Sequence, residues 1–121
     1  MSKTVLIVDD ASMIRNLASK TAMEAGYNVL TASDGTEGIE VLEANHVDLV
    51  FSDVNMPKMG GLEMVEKIKS KEQYKFLPIV MLTTEQKEEL KQQGKALGVK
   101  AWLVKPFNKN KFLLALEKLL G

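Results

Sequence analysis

Four apolar runs in this chain each end on side chains that can do chemistry. Val5-Leu6-Ile7-Val8 ends at Asp9-Asp10, and Val47-Asp48-Leu49-Val50-Phe51 ends at Ser52-Asp53. Ile79-Val80-Met81-Leu82 ends at Thr83-Thr84, and Lys100–Val104 is closed by Lys105-Pro106. A lone Asp after a strand is most often a turn or cap residue, a lone Thr is β-branched filler, and a lone Lys is solvated. Jointly the set reads differently. Three carboxylates at one edge repel one another, so either a pKa rises or a cation is held. Hard oxygen ligands suit Mg²⁺, which takes one or two carboxylates plus a phosphate. Lys105 adds a compact positive charge and Thr83 a hydroxyl donor. Nucleophile, metal, cation and hydroxyl are the parts of phosphoryl transfer.

Such a cluster needs parallel strands that end side by side. Short apolar, β-rich runs fit buried parallel strands. Asn55, Pro57, Gly60 and Gly61 then place Asp53 at a loop mouth beyond a carboxyl end, where open α/β sheets bind ligands. Between the strands run helices. The first spans about Ser12 to Ala25, with Ile14, Leu17, Ala18, Thr21, Ala22 and Ala25 at helical spacing and Gly26 as its stop. Asn28–Ala32 is a second strand. Ser33 or Asp34 caps the next helix, and Asp34 with Glu37 has capping-box spacing. That helix carries Ile39, Val41 and Leu42 and ends near Asn45. Leu62, Val65 and Ile68 mark a third helix, followed by a polar connection over Lys69–Lys75. The fourth helix, about Gln86–Leu97, has only the thin stripe Leu90, Gly94 and Leu97. Its internal glycine costs up to about 1 kcal/mol relative to Ala, so it is expected to be a low-stability element of the kind that switches. The last helix, Lys109–Leu120, repeats Phe112, Leu113, Leu116, Leu119 and Leu120 at core spacing. Strand–helix alternation five times over predicts an α/β fold: a five-stranded parallel sheet with helices on both faces and right-handed crossovers.

Composition narrows the function. A length of 121 residues predicts one domain, residues 1–121. Sixteen basic residues balance sixteen acidic ones, which argues against nucleic acid or a membrane surface as partner. The absence of cysteine excludes disulfides and thiolate metal sites. No apolar stretch is long enough to span a bilayer, and Met1-Ser2-Lys3-Thr4 leads straight into a strand, so a cytoplasmic location is expected.

The stretches VLIVDDASMIR, DLVFSDVNMPKMGG, PIVMLTTE and AWLVKPF carry a resemblance. In that order and spacing, the chain resembles the receiver domains of two-component response regulators, most closely the single-domain, CheY-like chemotaxis members. The resemblance covers essentially the whole chain. It implies a flavodoxin-like, CheY-like (βα)5 sheet of strand order 2-1-3-4-5. It implies that Asp53 is the phosphoacceptor, taking a phosphoryl group from a phosphohistidine on a CheA-like histidine kinase. Asp10 and Asp53 would bind Mg²⁺ or Mn²⁺ through side chains, Asn55 through its backbone carbonyl, and Asp9 through water. Lys105 would pair with Asp53 and then the phosphoryl group, and Thr83 would swing its hydroxyl to that group. Trp102 stands where the family usually has Tyr or Phe, and its rotamer would report the shift of Thr83. The same resemblance raises Lys105–Pro106 as a candidate cis bond. The protein would be a monomer and no enzyme in the ordinary sense, catalysing only its own phosphorylation and dephosphorylation. With no output domain expected, it would act by binding a separate target through the fourth helix, fifth strand and last helix. A flagellar motor switch protein is such a target, and a phosphatase is a further partner.

Four positions depart from the family pattern or tune it. Thr84 is larger than the frequent Ala and would crowd access to the phosphoryl group. Trp102 is larger than the usual aromatic and would need a widened slot. Asn55 and Glu85 flank the path of attacking water, as in regulators with short-lived phosphorylation, so fast self-catalysed loss is expected. His46 reads as a surface or cap residue at the far end of the sheet. Met13, Met56 and Met59 read as packing at or near the acids, because thioether does not suit Mg²⁺. Competing functions are a phosphate sink or relay, and a pseudo-receiver that only binds, against which the intact acid, Thr83 and Lys105 set counts. An aspartate-nucleophile phosphatase would need an acid where Asn55 stands. An FMN carrier would need an uncharged phosphate loop in place of Asp9-Asp10.

Overall fold

The computed structural model describes residues 2–121. Five strands form one sheet: β1 (Thr4–Val8), β2 (Asn28–Ala32), β3 (Leu49–Ser52), β4 (Ile79–Thr83) and β5 (Ala101–Val104). All neighbours run parallel in the order β2-β1-β3-β4-β5. The helices are α1 (Ser12–Glu24), α2 (Gly35–Ala44), α3 (Gly61–Lys69), α4 (Glu88–Ala96) and α5 (Lys109–Leu120), with a short 3-10 turn at Glu72–Tyr74.

The strand pleat sorts the core into two layers, because successive side chains point to opposite faces. Leu6, Val8, Val50, Ile79 and Met81 meet Leu42 of α2 and Leu62, Met64, Val65 and Ile68 of α3. Val5, Ile7, Leu49, Phe51 and Val80 meet Ala18 and Ala22 of α1 and Phe112 and Leu116 of α5. The central strands β3 and β4 are buried throughout, while the edge strands β2 and β5 are mostly half-exposed.

Several local expectations are corrected. The third strand begins at Leu49: Asp48 N–H still donates to Thr4 O at 2.8 Å, but Thr4 N–H is taken by the Asp48 side-chain Oδ2 at 2.8 Å. Asp34 caps α2 by accepting from Glu37 N–H at 2.9 Å, but the Glu37 carboxylate accepts from Ser33 N–H at 3.0 Å, one residue outside the box. The fourth helix starts two residues later than Gln86, since Glu85 Oε2 accepts from Lys87 N–H and holds Lys87 extended. Leu17 is 42% exposed, because Ala18, Thr21 and Ala22 supply the buried face of α1. In α5, Ala115 is buried while Leu113, Leu119 and Leu120 are only partly so. The polar connection after α3 contains the 3-10 turn.

Candidate functional site

The register of β1 with β3 and of β4 with β5 decides the site. Val8 pairs with Ser52, and the chain carries on past both to Asp9 and Asp53, where Asp53 N–H donates to Val8 O at 3.0 Å. Thr83 pairs with Val104, and Lys105 N–H donates to Thr83 O at 2.8 Å. Aligned strand ends therefore bring acids from two strands and a cation from a third to one place.

Carboxylate oxygens of Asp9, Asp10 and Asp53 lie within 4.8 Å of one another. Lys105 Nζ stands 2.9 Å from Asp9 Oδ2 and 3.0 Å from Asp53 Oδ2. The Lys105–Pro106 peptide is cis. Burial opposes the Lys105 charge, but the Asp9 and Asp53 carboxylates outweigh it and hold the ammonium above its ordinary range. Asp9 moves upward: burial raises it, and Lys105 and the Ala11 N–H only partly offset this. Asp53 Oδ1 accepts from Val54 N–H at 2.7 Å and Asn55 N–H at 3.3 Å.

The donor set fits a hard divalent cation. Asp10 is exposed at the mouth, whereas Asp9 is 1% exposed and its Oδ1 is taken by Ala11 N–H at 2.9 Å. Asp9 Oδ2 is buried and receives no well-directed hydrogen bond despite its ion pair, so it retains capacity for a metal-bound water. Thioethers stay out of this set: Met13 is 75% exposed, so it gives no cover, and Met56 and Met59 are half-buried in the packing beside the β3–α3 loop.

That loop must pass very close to Asp53. A Cβ at Gly61 would meet Asp53 O at 2.0 Å, so only glycine fits there. Gly61 N–H also donates to Val54 O at 2.8 Å. Lys58 has φ 65° in a turn closed by Met59 N–H donating to Pro57 O at 2.7 Å, a strained backbone shape beside the site.

The second half of the mouth is the β4–α4 loop. Thr83 is fully buried, and its Oγ1 accepts from Glu85 N–H at 3.1 Å. Asn55 Nδ2 donates to Glu85 Oε1 at 3.3 Å, bridging the two loops. Hydrogen bonds from Lys87 N–H and then Asn55 keep the Glu85 carboxyl below its usual range. Trp102 Nε1 donates to Glu85 O at 2.8 Å. Glu85 thus touches Asn55, Thr83 and Trp102 together. Thr84 is exposed at the rim, and His46 lies at the opposite end of the sheet, its ring nitrogen 2.9 Å from Asp48 Oδ1.

The family model described as a response regulator receiver domain matches residues 5–117. The chain belongs to the response regulator receiver domain family. Among curated relatives, a chemotaxis protein CheY1 of Helicobacter pylori is 41% identical over 97% of this chain and 96% of its own. A chemotaxis protein CheY homolog of Campylobacter jejuni is 39% identical over 97% and 92%. The structure of the Vibrio cholerae chemotaxis protein CheY4 superposes with a TM-score of 0.93 at 48% identity, covering 99% of this chain and 100% of that one. The receiver domain is therefore CheY-like in sequence and fold, and its acidic cluster is consistent with a receiver-domain metal site.

Two contributors to the site escape sequence reading. Arg15 Nη1 donates to the backbone carbonyl of Asp9 at 2.7 Å and so ties the acid-bearing loop to α1. Its spacing from Asp9, six residues across a loop, carries no periodic signal. Gly94 is the second. It reads as a weakness in a helix, yet a Cβ there would stand 3.0 Å from Trp102 Cζ3.

Proposed function

We propose that this receiver domain is a phosphorylation-dependent switch in a two-component pathway, with Asp53 as phosphoacceptor. The observation that carries the reading is the seating of Asp53. One of its oxygens faces Lys105, the other is held by backbone N–H groups, and two more carboxylates stand beside it. An Asp53 oxygen attacks the phosphorus of a phosphohistidine on a histidine kinase. A P–O bond forms, the P–N bond breaks, and the imidazole leaves with the electron pair and takes a proton from water. Mg²⁺ or Mn²⁺ at the cluster would supply charge neutralisation for the phosphoryl oxygens. Asp10, Asp53 and the Asn55 carbonyl would hold it directly, and Asp9 through water. Lys105 turns from Asp53 toward the added group, and the Thr83 hydroxyl gives up Glu85 N–H to donate to it. The added charge, about −1.5 to −2, works on a loop already tied to Trp102.

The output would be a change in the α4–β5–α5 face. Val104 and Leu114 are 38% and 59% exposed there, and Lys111, Leu114 and Lys118 recur at one-face helical spacing on α5. A basic, partly apolar face suits an acidic partner, and the chemotaxis names of the relatives favour a flagellar motor switch protein. Residues 1–121 would act as one monomeric domain in the cytoplasm, where ATP-fuelled kinases work.

The test is intact mass after incubation with a small phosphodonor and Mg²⁺, with Asp53→Asn in parallel. One added phosphoryl group, absent in the variant and slower without metal, is the expected result. Phosphorylation retained in Asp53→Asn would move the site elsewhere. No phosphorylation of a folded protein, with a cognate kinase also failing, would leave a pure binding module.

A further inference from the structure

The pole opposite the acids carries a feature that phosphoryl transfer does not use. Phe76 is 87% exposed, the most exposed large apolar side chain among the described residues. It lies in the α3–β4 connection, where Leu77 and not Phe76 is the residue buried in the core. The fold thus does not require an aromatic at 76.

The backbone that presents Phe76 is pinned. Lys69 Nζ donates to the carbonyls of Tyr74, Lys75 and Leu77 at 3.2, 3.3 and 2.5 Å. All three ammonium protons are engaged, but the positive charge remains. Beside the ring lies a concavity of about 150 Å³ lined by Lys69, Lys75, Phe76, Leu97, Gly98 and Lys100. That lining has three cations and no carboxylate. Lys75 Nζ sits 5.6 Å from the Phe76 ring centre and 3.8 Å from Glu72, in an exposed and weak pair. Lys100 has no ion pair among the described residues, and after burial its charge is the second cause lowering the Lys69 pKa. A second concavity, of about 280 Å³, continues on the other side of Phe76 along His46, Tyr74 and Pro78. The ring therefore stands as a ridge between two hollows, one of them basic.

We propose that this pole is a docking site for an acidic segment of a partner protein, one that lays an apolar side chain against Phe76 and Leu97 and carboxylates against Lys100 and Lys75. Charge complementarity selects this occupant. A second copy brought pole to pole would oppose two lysine clusters, and like charges across an interface cost affinity. A membrane would meet one ring and two hollows, where lipid binding needs a broad apolar face. The site lies at the start of β4 and β5, where Lys100 N–H donates to Ile79 O. Four residues of strand, about 13 Å, separate it from Thr83. Binding there is independent of the phosphoryl chemistry, so the site serves as a constitutive tether.

The test is an NMR titration of the ¹⁵N-labelled chain with three blocked pentapeptides: Glu-Asp-Leu-Asp-Glu, its Leu→Ser version, and Lys-Lys-Leu-Lys-Lys. The first should give saturable amide shifts at Phe76, Leu97, Gly98 and Lys100 at millimolar peptide, unchanged in Asp53→Asn. The Ser version should bind more weakly and the lysine peptide not at all. Lys100→Glu, at an exposed position, should weaken binding about fivefold, and Phe76→Ser should abolish it with the rest of the spectrum intact. Absence of saturable shifts, equal shifts from both charge types, or shifts mapping away from Phe76 would overturn the proposal. Flotation on anionic vesicles lost in Phe76→Ser would reassign the pole to a membrane. Concentration-dependent sedimentation lost in the same variant would reassign it to a second copy.

Discussion

Gly94 of α4 and Trp102 of β5 fit each other: the indole edge occupies the space that any side chain at 94 would fill, 3.0 Å from an added Cβ. The widened slot that a tryptophan needs is supplied by a glycine eight residues upstream. Gly94→Ala sets two magnitudes against each other. Helix propensity gains about 1 kcal/mol, and overpacking against the ring costs about 1–3 kcal/mol. The indole is half-buried and can swing out, so the net change in the urea midpoint should be small. Its hydrogen bond to Glu85 O is what should break. Trp102 is the only tryptophan, so emission reports it alone. A red shift in Gly94→Ala is expected, and an unchanged spectrum would show that the ring does not rest on Gly94.

Lys105→Met should be less stable at pH 7 by about 2 kcal/mol. Breaking an enclosed pair costs about 3–5 kcal/mol, and the 12% exposure of the Lys105 side chain reduces that. The pH dependence is the sharper test. Burial already raises Asp9, and Lys105 is its main restraint. Without it the folded state holds its proton to higher pH than the unfolded chain, so the variant should gain stability as pH falls toward about 4. The wild type shares that acid limb in smaller measure, because Asp9 is already raised there, and has an alkaline limb as well. Lys105 is raised in the fold, so its contribution is complete below about 10.4 and fades as pH climbs through the folded value. That limb should vanish in the variant. Millimolar Mg²⁺ should stabilise both proteins, and chelator should reverse it.

Asp48 offers the opposite sign. Burial works against its charge, but Thr4 N–H and then His46 outweigh this and lower its pKa. Its stabilisation is present above the unfolded value, about 3.9, and is lost as pH falls through the folded one. Asp48→Ala should cost about 1.5 kcal/mol at pH 7, measured by urea melts. The two proteins should converge as pH falls below the folded value of Asp48, where both carry no charge at 48; a gap that persists undiminished would assign the loss to packing.

The sheet is legible because its three central strands are continuous apolar runs ended by Asp9, Asp53 and Thr83, and because Lys105 marks the end of the edge strand β5. The helices were legible from periodicity, except at their starts. There, local side-chain bonds such as Glu85 to Lys87 N–H decide where the backbone turns helical. What sequence could not give is contact across elements. Glu85 reaching Asn55, Arg15 reaching the Asp9 carbonyl and Trp102 reaching Gly94 all join residues whose spacing has no period. Phe76 carries no sequence signal for a related reason: a lone aromatic just past a polar connection looks like filler until its exposure is known.

The Asn55–Glu85 bridge bears on how long a phosphoryl group lasts. Asn55 Nδ2 donates one proton to Glu85 Oε1, and we propose that this leaves Asn55 Oδ1 to accept from the water that attacks the phosphorus on Asp53. With water so oriented, self-catalysed loss in Mg²⁺ buffer should be fast, and a half-life of hours would contradict the assignment. Glu85→Ala lets the amide turn. Because an orienting contact is lost rather than a reacting group, loss should slow about fivefold, well short of the ~100-fold that misplacing a reacting atom costs. Glu85→Gln keeps an acceptor for the amide and should stay near wild type. The Glu85 carboxyl already lies below its usual 4.5, so the rate should be flat from about pH 6 to pH 8 in wild type. Intact mass followed over time after removal of the phosphodonor measures all three proteins. Equal rates in wild type and Glu85→Ala would place the water elsewhere.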